Sequence, residues 1–145
     1  MPDVDLPTVQ ELDDYTENSA AEYGDPHLEI PLDGNDIDLP PGFEIFNSID
    51  AAIEHPEAVL YLNLSEQGLT EVPEEVRQFV NLQELELWEN ELTELPDWIG
   101  ELSRLRILYL DDNNIETLPE SLGGLERMQI FSMSDNKPIV FRFDI

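Results

Sequence analysis

The stretch LQELELWENEL, residues 82–92, is one of four copies of a pattern that recurs every 23 residues. The copies begin at Val59, Leu82, Leu105 and Met128, and no insertion disturbs their spacing. In each copy two apolar residues alternate with other residues, which predicts a short β-strand with one buried face. A strand of this length cannot bury its apolar side chains alone, so the copies are predicted to stack around a shared core.

Each copy fills the same positions with the same classes of side chain. The alternating apolar pairs are Leu62/Leu64, Leu85/Leu87, Leu108/Leu110 and Phe131/Met133. An amide follows three residues after each pair: Gln67, Asn90, Asn113 and Asn136. The first three copies continue with an apolar residue and a proline, at Val72-Pro73, Leu95-Pro96 and Leu118-Pro119. The fourth copy has Pro138 where the earlier copies have an apolar residue, so its second half is not predicted to be complete.

This pattern resembles the leucine-rich repeat family, whose motif L-x-x-L-x-L-x-x-N-x-L is matched by residues 82–92. The proline-containing half is similar to that of intracellular repeats related to plant Ras-group proteins, which are common in bacteria. The resemblance covers roughly 80 of the 145 residues. It implies an α/β fold, a short solenoid of about four repeats with a parallel concave sheet, an N-terminal helical cap and a C-terminal strand cap. It also implies protein–protein recognition, without indicating which partner.

The chain is predicted to have four parts. Residues 1–42 form an acidic, proline-rich region without lysine or arginine, and residues 43–58 are an N-terminal cap. In that cap, Ser48 is placed to cap a short helix that Pro56 would end. The repeats occupy residues 59–136, and the β-prone residues 137–145 are predicted to close the core as a C-terminal cap. If they did not fold back, an apolar strand edge would be exposed.

The composition is strongly acidic, with 34 Asp and Glu against 6 Lys and Arg and a formal net charge of −28. This charge argues against direct nucleic-acid binding through phosphates and favours a basic partner. The absence of cysteine excludes disulfides and thiol catalysis, and it fits a reducing compartment. No signal peptide or long apolar run is visible, so we expect a cytoplasmic protein without membrane contact, monomeric when free.

Catalytic and cofactor motifs are absent from the sequence. It contains two histidines, no cysteine, no glycine-rich phosphate loop, no G-x-S-x-G and no H-E-x-x-H. Calcium held between stacked acids is disfavoured, because no glycine-rich calcium-binding repeat accompanies them. We therefore predict no enzymatic activity, no cofactor and no metal.

The strand alternation predicts which side chains face the concave surface. If Leu85 and Leu87 point into the core, their neighbours point outward, and the same holds in every copy. Large aromatic and apolar groups on such a surface are typical of binding sites. The alternatives are that the N-terminal region covers this patch, or that its residues pack only on each other. The predicted partner-binding residues are Tyr61, Glu84, Glu86, Trp88, Glu89, Ile107, Tyr109, Asp111, Asp112 and Ile130.

An acidic residue follows the strand in all four copies, at Glu66, Glu89, Asp112 and Asp135. Neighbouring strands lie about 4.8 Å apart, so these carboxylates should stack in a column. The sequence therefore indicates a non-enzymatic protein-binding module that recognises a basic protein through its concave face. An alternative is an acidic inhibitor, such as an immunity protein or nucleic-acid mimic, that neutralises a basic toxin, nuclease or nucleic-acid-binding protein. A third interpretation is that the acidity serves only solubility.

Overall fold

The computed structural model describes residues 44–138, which form one parallel sheet backed by short helices. The predictions for the acidic region 1–42 and for the strand within 139–145 lie outside the described residues. So does the alternative in which the N-terminal region covers the concave face. Within residues 44–138, no helix is long and apolar enough to cross a membrane.

The sheet has five strands in the order β1-β2-β3-β4-β5, all parallel. The strands are β1 (Ile45–Phe46), β2 (Tyr61–Asn63), β3 (Glu84–Glu86), β4 (Ile107–Tyr109) and β5 (Ile130–Ser132). From β2 onward, each residue pairs with the residue 23 positions later, as Leu62 does with Leu85 and Leu85 with Leu108. This register confirms the predicted parallel sheet of a short α/β leucine-rich repeat solenoid with about four repeats.

The strand β1 was not anticipated from the sequence. It pairs with β2 through Ile45 opposite Tyr61 and Phe46 opposite Leu62. Phe46 is buried and belongs to the core, so β1 adds one more rung to the sheet before the first repeat. At the other end, Phe131 of β5 is 38 % exposed, whereas its equivalents in β2, β3 and β4 are fully buried. Among the residues described, β5 has a neighbouring strand only on the β4 side.

A single-turn helix, α1 (Ile49–Ala52), follows β1. The Ser48 side chain accepts a hydrogen bond from the Ala51 N–H at 3.2 Å, as an N-cap does, and Asp50 lies in the first turn. Ala52 is fully buried in the core. The helix ends at Ala52, earlier than the stop that the sequence predicted at Pro56, and a separate 3-10 helix follows at Pro56–Ala58. The cap role of residues 43–58 stays a prediction.

The second half of each of the first three repeats forms a 3-10 helix, at Glu74–Gln78, Asp97–Glu101 and Glu120–Gly124. Each begins directly after a proline, whose fixed φ sets the direction in which the chain enters the helix. Val76 and Ile99 are fully buried and close the core on this side. Consecutive helices approach closely: a Cβ added at Gly100 would lie 2.5 Å from the Ser121 carbonyl oxygen.

The repeated asparagines tie each repeat to the one before it. The Asn90 Oδ1 accepts from the Leu69 N–H at 2.9 Å, and its Nδ2 donates to the Leu64 and Leu87 carbonyls, both at 3.0 Å. Asn113 repeats this arrangement 23 residues later. These amides satisfy backbone groups where the strands end, which explains why an amide stands at this position of the pattern.

Candidate protein-binding surface

The strand register aligns the predicted surface residues in columns that face away from the leucine core. One column contains Tyr61, Glu84, Ile107 and Ile130, and the next contains Asn63, Glu86, Tyr109 and Ser132. Trp88, Asp111 and the acidic residues follow directly after the strands. The register thus brings six of the ten predicted partner-binding residues into two neighbouring columns, and the other four follow the strands in the sequence.

Exposure separates these residues into two groups. Tyr61, Glu84, Glu86 and Ile107 are only 1 %, 5 %, 8 % and 3 % exposed. This corrects the expectation that they form part of an open surface. The other predicted residues are half-buried or exposed: Trp88, Tyr109, Asp111 and Ile130 are half-buried, and Glu89 and Asp112 are exposed.

Hydrogen bonds between columns give one physical reason for this burial. The Tyr61 hydroxyl donates to one carboxylate oxygen of Glu86, and the Trp88 indole Nε1–H donates to the other at 2.8 Å. The carboxylate is therefore held between two aromatic side chains, and each of its oxygens accepts a hydrogen bond although the side chain is buried. Alternation alone marks Glu86 as exposed, because a single sequence does not show these donors.

The exposed part of the surface is the acidic column, which we define as Glu66, Glu89, Asp112 and Asp135. All four residues are exposed, and all four have a positive φ of 60°, 54°, 59° and 56° respectively. Non-glycine residues rarely adopt this conformation. Its recurrence means that the four side chains leave the backbone at equivalent points of successive repeats, and this confirms that the four acids occupy the same place in each copy.

The carboxylates of the acidic column interact with one another. A hydrogen bond with Glu66 raises the pKa of Glu89 above its usual value, assisted by desolvation and by the charges of Glu66 and Asp112. Two carboxyl groups that share a hydrogen bond favour one bound proton, because like charges repel at short distance. The column therefore places like-charged side chains close together, and their repulsion contributes to the raised pKa of Glu89.

Asp111 lies beside the acidic column, and its pKa is lowered, whereas the pKa of Glu89 is raised. Its Oδ1 accepts from the Ser132 hydroxyl at 2.6 Å and from the Ser134 hydroxyl and N–H, both at 2.7 Å. Burial would raise the pKa of Asp111, but these hydrogen bonds outweigh it and lower the pKa below its usual value. Asp111 is thus a fixed, ionised carboxylate at neutral pH.

Two of the arginines make their contacts away from the acidic column. Arg106 is buried and donates to Gln83 at 3.2 Å and Gln129 at 3.3 Å, while Arg77 pairs with Glu74 and Glu101 on the opposite side of the solenoid. Between residues 44 and 138, no basic side chain forms an ion pair with the acidic column. The same part of the chain contains no group of His, Cys, Asp and Glu arranged to hold a metal ion.

Comparisons with known proteins agree with this architecture. A family model described as a leucine-rich repeat region matches residues 58–140, which is more than half of the chain. A comparison with curated proteins found no match. The chain therefore belongs to the leucine-rich repeat family, whose domains are in general protein-interaction modules.

Among the solved structures that are similar to this chain are two leucine-rich repeat proteins. One is a leucine-rich repeat protein of Leptospira interrogans, with 25 % identity, a TM-score of 0.37, and coverage of 66 % of this chain and 36 % of that one. The other is the leucine-rich repeat ectodomain of a receptor kinase from Arabidopsis thaliana, with 24 % identity, a TM-score of 0.43, and coverage of 57 % and 59 %. The chain spans less than two thirds of the length of either protein.

Proposed function

We propose that this protein is a non-enzymatic binding module that recognises a basic protein through the acidic column and the aromatic side chains beside it. The observation that supports this proposal most directly is the stack of four exposed carboxylates, one for each repeat. The hydrogen bond with Glu66, desolvation and the charges of Glu66 and Asp112 raise the pKa of Glu89, and a cationic partner would relieve the repulsion between these charges. Binding would then gain both from attraction to the partner and from relief of strain within the column.

Half-buried aromatic residues provide the second part of the proposed surface. Trp88 and Tyr109 lie next to Glu89 and Asp111 at the end of the strands where the acidic column stands. Such residues combine a large apolar area with a polar tip, and they are enriched among residues that dominate binding energy. The Trp88 indole is held by its hydrogen bond to Glu86, so little side-chain freedom would be lost on binding.

The buried residues have a supporting role in this proposal. Glu86 accepts hydrogen bonds from Tyr61 and Trp88, and it thereby fixes the position of the Trp88 indole. In this proposal the buried residues Tyr61, Glu84 and Ile107 support the surface from within. The exposed and half-buried residues make the direct contacts with the partner.

This proposal is tested by affinity capture of the partner from a lysate of the source cell. Calorimetry with the purified partner then measures the affinity. Wild type is compared with a quadruple variant of the acidic column (E66Q, E89Q, D112N, D135N) and with Trp88→Ala/Tyr109→Ala. The matched control removes four exposed carboxylates elsewhere (E54Q, E57Q, E120Q, E126Q). The proposal expects affinity to fall by about 100-fold or more in both surface variants and by less than about threefold in the control. Equal losses in the column variant and the control would refute a specific acidic site.

An inhibitor is the alternative function for the same surface, and the net charge of −28 is the observation that favours it. A nucleic-acid mimic would present the acidic column where phosphates bind on a basic toxin, nuclease or nucleic-acid-binding protein. Its affinity would depend steeply on salt, whereas a module anchored by Trp88 and Tyr109 would lose much less. Calorimetry at low and high ionic strength therefore separates the two functions.

A further inference from the structure

A second surface lies on the side of the solenoid that carries the 3-10 helices. It is a groove of about 340 Å³ between the second halves of the first two repeats, and we call it the convex groove. Its apolar lining consists of Val72, Pro73, Pro96 and Trp98. Val72 is buried and the other three are half-buried, so these side chains form the deeper part of the groove. The two prolines have fixed backbones, so the walls are rigid before anything binds.

Glutamates form the rest of the lining: Glu71, Glu74, Glu75 and Glu94. All four are exposed, so their carboxylates surround the apolar floor at the solvent side. Glu74 pairs with Arg77 at 3.1 Å. In the part of the chain that the structure describes, no basic side chain forms an ion pair with Glu71, Glu75 or Glu94. The groove therefore combines an apolar floor with an excess of negative charge.

One arginine of the protein itself already contacts Trp98 and two glutamates. The Arg77 guanidinium lies over the Trp98 ring at 5.8 Å from the ring centroid, and it pairs with Glu74 and with Glu101 at 3.0 Å. Trp98 lines the convex groove, whereas Arg77 does not. An arginine from outside could repeat this arrangement, with its planar group against the indole and its N–H donors toward Glu75 and Glu94.

We propose that the convex groove binds an arginine side chain from a basic protein segment. Charge complementarity selects a cation, and the apolar floor selects one with a long aliphatic stem and a flat, weakly hydrated head. Arginine has both properties, whereas the lysine ammonium is compact and strongly hydrated. The volume lies at the lower end of the range for ligand sites, about 300–1,000 Å³, and suits one side chain with its flanking backbone. This site is separate from the acidic column and goes beyond the function proposed above.

An NMR titration of the full chain with Nα-acetyl-argininamide tests the proposal. The matched probes are the citrulline analogue, which has the same shape without charge, and Nα-acetyl-lysinamide, which has the charge without the planar group. We expect saturable shifts of the Trp98 indole N–H and the Val72 methyl groups with arginine, at an affinity near the millimolar range. Citrulline should give no saturable shift, and lysine should bind about threefold or more weakly. Equal binding of lysine or citrulline would overturn the assignment.

Substitutions inside and outside the convex groove test where the arginine probe binds. Glu75→Gln/Glu94→Gln should weaken arginine binding by about tenfold, because two charge-assisted contacts are lost. The control Glu57→Gln/Glu126→Gln removes the same charge from exposed positions outside the groove and should change binding by less than twofold. Trp98→Leu keeps an apolar side chain but removes the stacking surface, and it should also weaken binding.

These experiments separate a failure of arginine binding in the convex groove from a failure of partner binding at the acidic column. Substituting the acidic column should leave the shifts at Trp98 unchanged. Shifts that instead map to Glu66, Glu89 and their neighbours would overturn the convex groove while supporting the acidic column.

Discussion

Replacing Asn113 with alanine would remove a buried amide that joins the third repeat to the second. The Asn113 side chain is 5 % exposed. Its Oδ1 accepts from the Leu92 N–H at 3.0 Å, and its Nδ2 donates to the Leu87 and Leu110 carbonyls at 2.9 and 3.0 Å. The size of the effect depends on which of these backbone groups keeps another partner.

The two carbonyls are each shared with a neighbouring asparagine. The Leu87 carbonyl also accepts from Asn90 at 3.0 Å, and the Leu110 carbonyl from Asn136 at 2.9 Å. The buried Leu92 N–H has no such second acceptor among residues 44–138. One orphaned buried donor costs about 1–3 kcal/mol, and the other lost hydrogen bonds add about 1 kcal/mol. We therefore expect Asn113→Ala to lower the free energy of unfolding by about 2–4 kcal/mol.

Urea unfolding followed by circular dichroism measures this loss, and the chain supplies its own controls. Gln67→Ala changes the amide of the first copy, which is exposed and donates to the Asn47 carbonyl, and it should change the unfolding free energy by less than about 0.5 kcal/mol. Asn136→Ala removes similar bonds from a half-buried site and should fall between the two. If Asn113→Ala cost no more than Gln67→Ala, the reasoning from buried backbone groups would be refuted.

Two further perturbations test other parts of the structure. Gly100→Ala should destabilise the fold by about 1–3 kcal/mol in thermal or urea unfolding, because its Cβ would meet Ser121, whereas Gly123→Ala has open space and should cost much less. Equal effects would contradict the close approach of the helices. Glu89 has a raised pKa in the folded state, so its ionisation disfavours folding as pH rises above its usual value of 4.5. Glu89→Gln should therefore stabilise the protein at pH 7 in unfolding experiments, with the advantage disappearing at pH 3, and an unchanged advantage at pH 3 would argue against repulsion by Glu66.

The sequence was sufficient for those features that depend on local periodicity. The fixed spacing of leucines and amides predicted the parallel sheet and its register, because identical repeats can share a core only when they are stacked in step. The acidic column followed from the same spacing, since equivalent positions recur on neighbouring strands. Ser48 likewise indicated the start of α1 through its local chemistry, whereas the helix ends at Ala52, before Pro56.

Features that depend on contacts between distant segments were missed. The strand β1 has only two residues, and its assignment requires pairing with β2, which no local pattern reveals. Alternation with the leucines predicts that Glu86 is exposed, but it is buried and its carboxylate accepts hydrogen bonds from Tyr61 and Trp88. The convex groove is formed between two repeats, so neither repeat alone predicts it.

The amide that links each repeat to its predecessor makes this a modular protein in the thermodynamic sense. Asn90, Asn113 and Asn136 each bridge only adjacent repeats, so stability approximates a sum of nearest-neighbour terms. Inserting a copy of residues 82–104 between the second and third repeats should add one such term and one further carboxylate to the acidic column. The number of repeats therefore determines both the free energy of unfolding and the number of carboxylates in the acidic column. Both quantities change in steps of one repeat.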